Sequence, residues 1–209
     1  VRLLNTRGLG VIRPVDVMGQ VDENTRLVAL ASCHFISGFR IDLEAIGSWL
    51  RKRKILFCVD GIQTLGAFPI SVEHVDVLAA DGHKWLLGPC GAGLMYVRRE
   101  LQEKLTPPLY GWHNVRCPDF VTKEIIVFRQ DARKYEAGTH NLVGLVGLVA
   151  AMGLILEVGV DAIAAELLRQ RTWLAPALIE KGYSVLLADI HPFLAHPAVT
   201  GVTSSLTVP

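Results

Sequence analysis

Residues 55–85 read ILFCVDGIQTLGAFPISVEHVDVLAADGHKW, and their reading decides the fold. The apolar run 55–59 (ILFCV) has the length and composition of a buried strand, and Asp60 follows it at once. The run 75–80 (VDVLAA) repeats the arrangement and opens into the loop Asp81-Gly82-His83-Lys84. In a doubly wound parallel sheet, ligands bind outside the carboxyl ends of the strands. Asp60 and the 81–84 loop are therefore expected at one ligand-facing edge.

Working outward, residues 26–31 (RLVALA) form a further buried strand with a polar exit loop through Gly38. Asp42 stands where a helix N-cap belongs. Leu43, Ile46, Trp49 and Leu50 recur at helical spacing, and Arg51, Lys52, Arg53 and Lys54 supply cations at the C-terminal end. Strand, helix and strand make a βαβ unit, whose strands should be parallel with a right-handed crossover. Residues 93–97 (GLMYV) are another strand. Pro107, Pro108 and Gly111 break the pattern, and residues 113–134 are long for a structureless loop, as functional segments often are. A helix follows over 142–156, so apolar that it is expected to be buried in protein. A second helix spans 161–181, closed by Gly182, and residues 183–188 (YSVLLA) look like a strand of a different unit.

The 209 residues hold 21 Lys plus Arg against 20 Asp plus Glu, so no broad field points to nucleic acid or an anionic membrane. A small-molecule ligand is expected instead. The hydrophobic content is 51%, yet the most apolar stretch is too short to span a bilayer. The surplus is expected to be covered by a partner or by further segments. Cys33, Cys58, Cys90 and Cys117 are far apart, which suggests neither a disulfide framework nor a zinc site and fits a reducing cytoplasm. A chain that opens on Val1 and ends on what looks like an unfinished strand is expected to be a fragment.

A lysine, an aspartate and small residues at one sheet edge suit pyridoxal 5'-phosphate (PLP). Its aldehyde needs an amine for a Schiff base, and its pyridine nitrogen needs a carboxylate to hold the proton that keeps the ring an electron sink. The run Asp60-Gly61-Ile62-Gln63-Thr64-Leu65-Gly66, then Pro69, then Gly82-His83-Lys84-Trp85-Leu86-Leu87-Gly88-Pro89, then Gly91-Ala92-Gly93 resembles the cofactor core of the class V aminotransferases. These include cysteine desulfurases, kynureninase and isopenicillin-N-epimerase-like proteins. Gly38-Phe39-Arg40-Ile41-Asp42-Leu43, Gly111-Trp112 and Tyr135-Glu136-Ala137-Gly138-Thr139-His140-Asn141 extend the likeness on both sides.

The resemblance implies an α/β fold. Its large PLP-transferase domain would have three layers and a mostly parallel central sheet over residues 1–160, without its N-terminal portion. Residues 161–209 would begin a smaller C-terminal α/β domain. It implies a PLP-dependent enzyme acting on an amino acid or amine, with Lys84 as Schiff-base lysine and proton shuttle. Asp60 would pair with the pyridine nitrogen, Gln63 with the phenolic oxygen, and His83 would lie by the phosphate or ring edge. Thr139 would reach the phosphate of a neighbouring subunit and Trp112 would line that neighbour's site, making a homodimer. Asp81 stands where cysteine desulfurases usually place a serine or similar phosphate donor, and it is expected to point away or orient His83.

Other readings stand beside these. His34 faces the cofactor or makes local hydrogen bonds. Cys33 and Cys58 are small buried hydrophobes, and none of the four cysteines stands where a desulfurase nucleophile belongs. His74, His83 and Cys58 have no metal-ligand spacing. The alternative to an active enzyme is a catalytically incompetent remnant with a binding or structural role.

Overall fold

The computed structural model describes residues 1–6, 8–116 and 126–186, and the backbone of residues 206–207. Cys117, part of the long loop and residues 187–188 of the expected 183–188 strand lie outside these residues. A four-stranded sheet is ordered β1 (Leu27–Ala31), β2 (Leu56–Asp60), β3 (Val77–Asp81), β4 (Gly93–Val97). β1 and β2 are parallel, from Leu27 opposite Leu56 to Ala31 opposite Asp60. β2 and β3 are parallel, from Cys58 opposite Val77 to Asp60 opposite Ala79, and β4 returns antiparallel, with Gly93 opposite Asp81. The mostly parallel α/β sheet expected from the sequence is what the chain forms.

α1 (Pro14–Met18) and α2 (Leu43–Lys52) lie with one face of the sheet. Asp42 is the N-cap of α2, its Oδ1 accepting the Ala45 amide at 2.8 Å, and Arg51 and Lys52 end the helix against the negative pole of its dipole. Ile46 and Leu50 are buried with Phe39, Phe57, Val59, Val75 and Leu78. Each such side chain contributes about 1.5–3 kcal/mol on leaving water. Buried Asp76 ties these layers. Its Oδ2 accepts the Phe57 amide at 2.8 Å, and its Oδ1 lies 2.7 Å from Arg98 Nε and 3.6 Å from Arg51 Nη2. The opposite sheet face carries small residues, Ala29, Ala31, Cys58, Ala79 and Gly93, and is half open.

α3 (Arg99–Gln102) precedes the irregular region, which ends in a 3-10 turn at Ala132–Tyr135. α4 (Leu142–Val158) and α5 (Val160–Glu180) follow, bent by 74° at Gly159, whose φ of +88° suits glycine. β5 (Ser184–Val185) pairs antiparallel with β6 (Leu206–Thr207). The expectation of a buried helix over 142–156 is corrected. α4 is apolar on all sides, but only Gly144, Leu148 and Ile155 are buried, while Val143, Val146, Val149 and Leu156 are exposed. The described elements cover one stripe of it. Among the described residues no single helix is long and apolar enough to cross a membrane.

Candidate active site

Asp60 is the last residue of β2 and Asp81 the last of β3. The β4 ladder extends β3 to Asp81 through its pairing with Gly93, so both carboxylates stand on the half-open sheet face. They line one open cleft of about 810 Å³ with Ile62, Met95, Tyr135 and Glu136. Asp60 Oδ1 accepts the Ile62 amide at 2.9 Å, which folds the chain into the turn bearing half-buried Gln63.

Lys84 sits half-buried in the turn after β3. The Gly82 amide donates to the Ala92 carbonyl at 2.7 Å and the Gly88 amide to the Gly82 carbonyl at 2.8 Å, closing that turn on itself. A side chain at position 82 would meet the Ala92 carbonyl at 2.6 Å and Leu148 of α4 at 2.8 Å, so the cradle admits only glycine there. The Gln63 turn is clamped to the lysine turn by Gly66. Its φ is +93°, and a Cβ there would lie 2.5 Å from the Trp85 carbonyl oxygen. Two loops from neighbouring strands are thus held in backbone contact beside Lys84.

Asp81 points along its own loop. Its Oδ1 accepts the Gly82 amide at 2.7 Å and its Oδ2 lies 2.9 Å from Nδ1 of exposed His83. The His83 contact, then the Gly82 amide, hold its carboxyl below the usual carboxylate range. Of the two readings of Asp81, orientation of His83 is the one this geometry supports.

Trp112 and Thr139 are both exposed and line neither the cleft nor the lysine turn. Their segments are nevertheless joined. Asn114, fully buried, accepts the Gly111 amide at 2.9 Å and donates from Nδ2 to the carbonyls of Leu109 and Lys134, at 2.9 and 3.0 Å. Asn141 caps α4 by accepting the Gly144 amide and donates to the Gly91 carbonyl at 3.2 Å, tying the Thr139 segment to the loop beyond Lys84. Sequence reasoning missed Asn114, whose carbonyl partners lie 5 and 20 residues away and leave no periodic trace.

His34 takes the local alternative: its Nδ1 accepts the Ser37 amide at 3.2 Å. Cys33 is buried and its thiol is pushed up to about 11 by desolvation, and the half-buried Cys58 thiol is pushed up by burial and by Asp60. Neither is an activated nucleophile. Glu44, Glu73 and His74 bring potential metal-ligand atoms within 4.8 Å of one another, with His74 already paired to Glu44.

The chain thus places a lysine turn and the two carboxylates Asp60 and Asp81 at the carboxyl edge of a mostly parallel α/β sheet. The family model for class-V aminotransferases matches residues 1–198, and the chain belongs to that family. A probable cysteine desulfurase of Borreliella burgdorferi is 30% identical over 167 residues, 78% of this chain and 39% of that protein. The apo structure of a cysteine desulfurase from Thermococcus onnurineus superimposes with a TM-score of 0.79 at 25% identity, covering 94% of this chain and 47% of that one. A cysteine desulfurase of Escherichia coli gives 0.76 at 26% identity, covering 88% and 46%. The chain spans less than half the length of these relatives. Membership implies PLP-dependent amino-acid chemistry. A lysine amine and a strand-end carboxylate are the donor types that cofactor needs; Asp60 lines the cleft, whereas Lys84, Gln63 and His83 stand in the adjoining turns outside its lining.

Proposed function

We propose that this chain supplies the lysine-bearing part of a PLP-dependent enzyme acting on an amino acid or amine. The observation that carries the reading is the backbone contact between Gly66 and Trp85, which holds the Gln63 turn against the lysine turn where Asp60 also emerges. When bound, the cofactor would supply an electron sink for charge developing at the substrate α carbon. Lys84 Nζ would be the amine that holds the cofactor aldehyde and would carry a proton to and from that carbon. Asp60 would keep the proton on the pyridine nitrogen and Gln63 would donate to the phenolic oxygen. His83, oriented by Asp81, lies by the phosphate or ring edge. Thr139 and Trp112 serve the site of a second copy, so the working unit is a homodimer; their exposure supports this. The turn at Gly159 supports a boundary between a large domain (1–160) and the start of a small one (161–209).

The test is an absorption titration of the protein with PLP beside Lys84→Ala, reading a band near roughly 410–430 nm. A saturable band that the variant loses is expected. A band unchanged in Lys84→Ala refutes the assignment of the lysine. Because the relatives are named cysteine desulfurases, cysteine is the first amino acid to add.

A further inference from the structure

Arg40 lies behind the candidate site and is 8% exposed. Its guanidinium carbon stacks 3.7 Å from the centre of the Phe68 ring, and its Nη1 is sealed from solvent with no hydrogen-bond partner. Desolvation pulls the Arg40 pKa down to about 10, with the Cys33 thiol acting the other way. A cation stripped of water without an anion is costly, and the cost is relieved by whatever brings a counter-charge.

Arg40 is also part of the wall of a separate cavity of about 150 Å³, lined by Ser32, Thr64, Ser71, His74 and Glu44 as well. Its free donors can be counted. Ser32 Oγ donates to the Asp60 carbonyl at 2.9 Å and lies 2.9 Å from Thr64 Oγ1, so Thr64 donates to Ser32 and both protons are spent inside the protein. Ser71 Oγ accepts the Glu73 amide at 3.2 Å, which leaves its own proton to give. His74 Nε2 is 3.0 Å from Glu44, while its Nδ1 is buried and unpartnered. Glu44 and Glu73 are acidic groups nearby; both are exposed, and Glu44 lies 3.0 Å from His74 Nε2, so water and salt screen them far more than they screen Arg40. The space equals about five waters at ~30 Å³ each, enough for an anion of a few heavy atoms.

We propose that this cavity binds a compact oxyanion, a carboxylate or a tetrahedral oxyanion head group, through the guanidinium of Arg40 and the hydroxyl of Ser71. A guanidinium fork matches either acceptor. The site is separate from the proposed cofactor site and shares with it only the Ser32 to Asp60 wall, so it stands whether or not PLP binds.

The experiment is thermal unfolding and titration calorimetry of the protein with inorganic phosphate or acetate, against sodium chloride at equal ionic strength. A ligand that binds only the folded state shifts the unfolding equilibrium by about a hundredfold at a hundredfold excess over its Kd. The expected result is a saturable rise in Tm with phosphate, acetate or both, the active probe identifying the head group. Arg40→Met, which keeps a stem on Phe68 and removes the charge, is expected to lose the rise without unfolding earlier in chloride. Arg40→Lys is expected to fold and bind roughly tenfold more weakly, since an ammonium lacks the fork. His83→Ala, at the cofactor edge, is expected to keep the rise. A response no larger than chloride gives, one retained in Arg40→Met or undiminished in Arg40→Lys, or one lost in His83→Ala overturns the proposal.

Discussion

Gly66→Ala tests the clamp between the two loops. At φ +93° an alanine pays about 1–2 kcal/mol for the left-handed backbone. Its Cβ would lie 2.5 Å from the Trp85 carbonyl oxygen, where ordinary contact begins at 3.4 Å, so one loop must move by about 0.9 Å (3.4 minus 2.5). Overpacking of this kind costs about 1–3 kcal/mol. Against these, the lost freedom of the unfolded glycine returns about 0.4–1 kcal/mol. The net is roughly 3 kcal/mol, more than a hundredfold in the unfolding equilibrium at ~1.4 kcal/mol per decade. Urea denaturation reads it as a lower midpoint at unchanged slope. PLP affinity is expected to fall as well, because the displaced turn carries Gln63. Gly153→Ala is the control: it lies within α4 with nothing inside 4 Å of the added carbon, and should stabilise by about 0.5–1 kcal/mol. A Gly66→Ala midpoint at or above that of the wild type, with Gly153→Ala behaving as stated, would refute the clamp.

Asp76→Ala leaves the Phe57 amide without its acceptor and two arginines without their carboxylate. Breaking such a buried group costs about 3–5 kcal/mol, and the lower end is expected because the side chains of Arg51 and Arg98 are about a third exposed. The urea midpoint measures it, and a loss under about 1 kcal/mol, the level of an exposed pair, contradicts the role assigned to Asp76. Acid stability gives a further test. Hydrogen bonds from Arg2, Arg133 and Arg169 hold Asp22, Asp131 and Glu166 down at about 2, below their ordinary values of 3.8 and 4.5. A depressed carboxylate stabilises the fold above its unfolded pKa, and that contribution disappears as pH falls through the folded one. Urea midpoints are therefore expected to drop between about pH 4.5 and pH 2, less steeply in 1 M salt because these groups are exposed. A midpoint flat across that window would show that the three pairs contribute nothing.

The elements that carry the site were legible because each rests on neighbours in sequence. Asp42 caps the helix it precedes, and the runs before Asp60 and Lys84 are short and apolar. The strand ends were less legible. β2 reaches Asp60 because β1 pairs with it to Ala31, and β3 begins at Val77 because Asp76 is turned to Phe57 and the arginines. Both facts depend on residues that only the fold brings close. The same holds for Asn114 and Arg40. An asparagine in an irregular loop and an arginine before a helix look like solvated groups, and each is buried by segments distant in the chain.

α4 shows a reading in which pattern and structure differ for a physical reason. A helix apolar on every face is stable in water only when every face is covered. Leu148 packs on Gly82 and Gly88 of the lysine turn and Gly144 on the Asn141 cap, so the covered stripe is the one that supports the site. Val143, Val146, Val149 and Leu156 remain exposed in a chain that spans less than half the length of its relatives. Composition alone led to the expectation of burial, whereas the stripe actually covered follows from which neighbours the described residues supply. The open sheet face bearing Ala29, Ala79 and Met95 obeys the same logic: its small residues suit close packing, and it carries both carboxylates of the cleft. The carboxylates of the cleft and the uncovered sheet surface therefore share one side of the sheet.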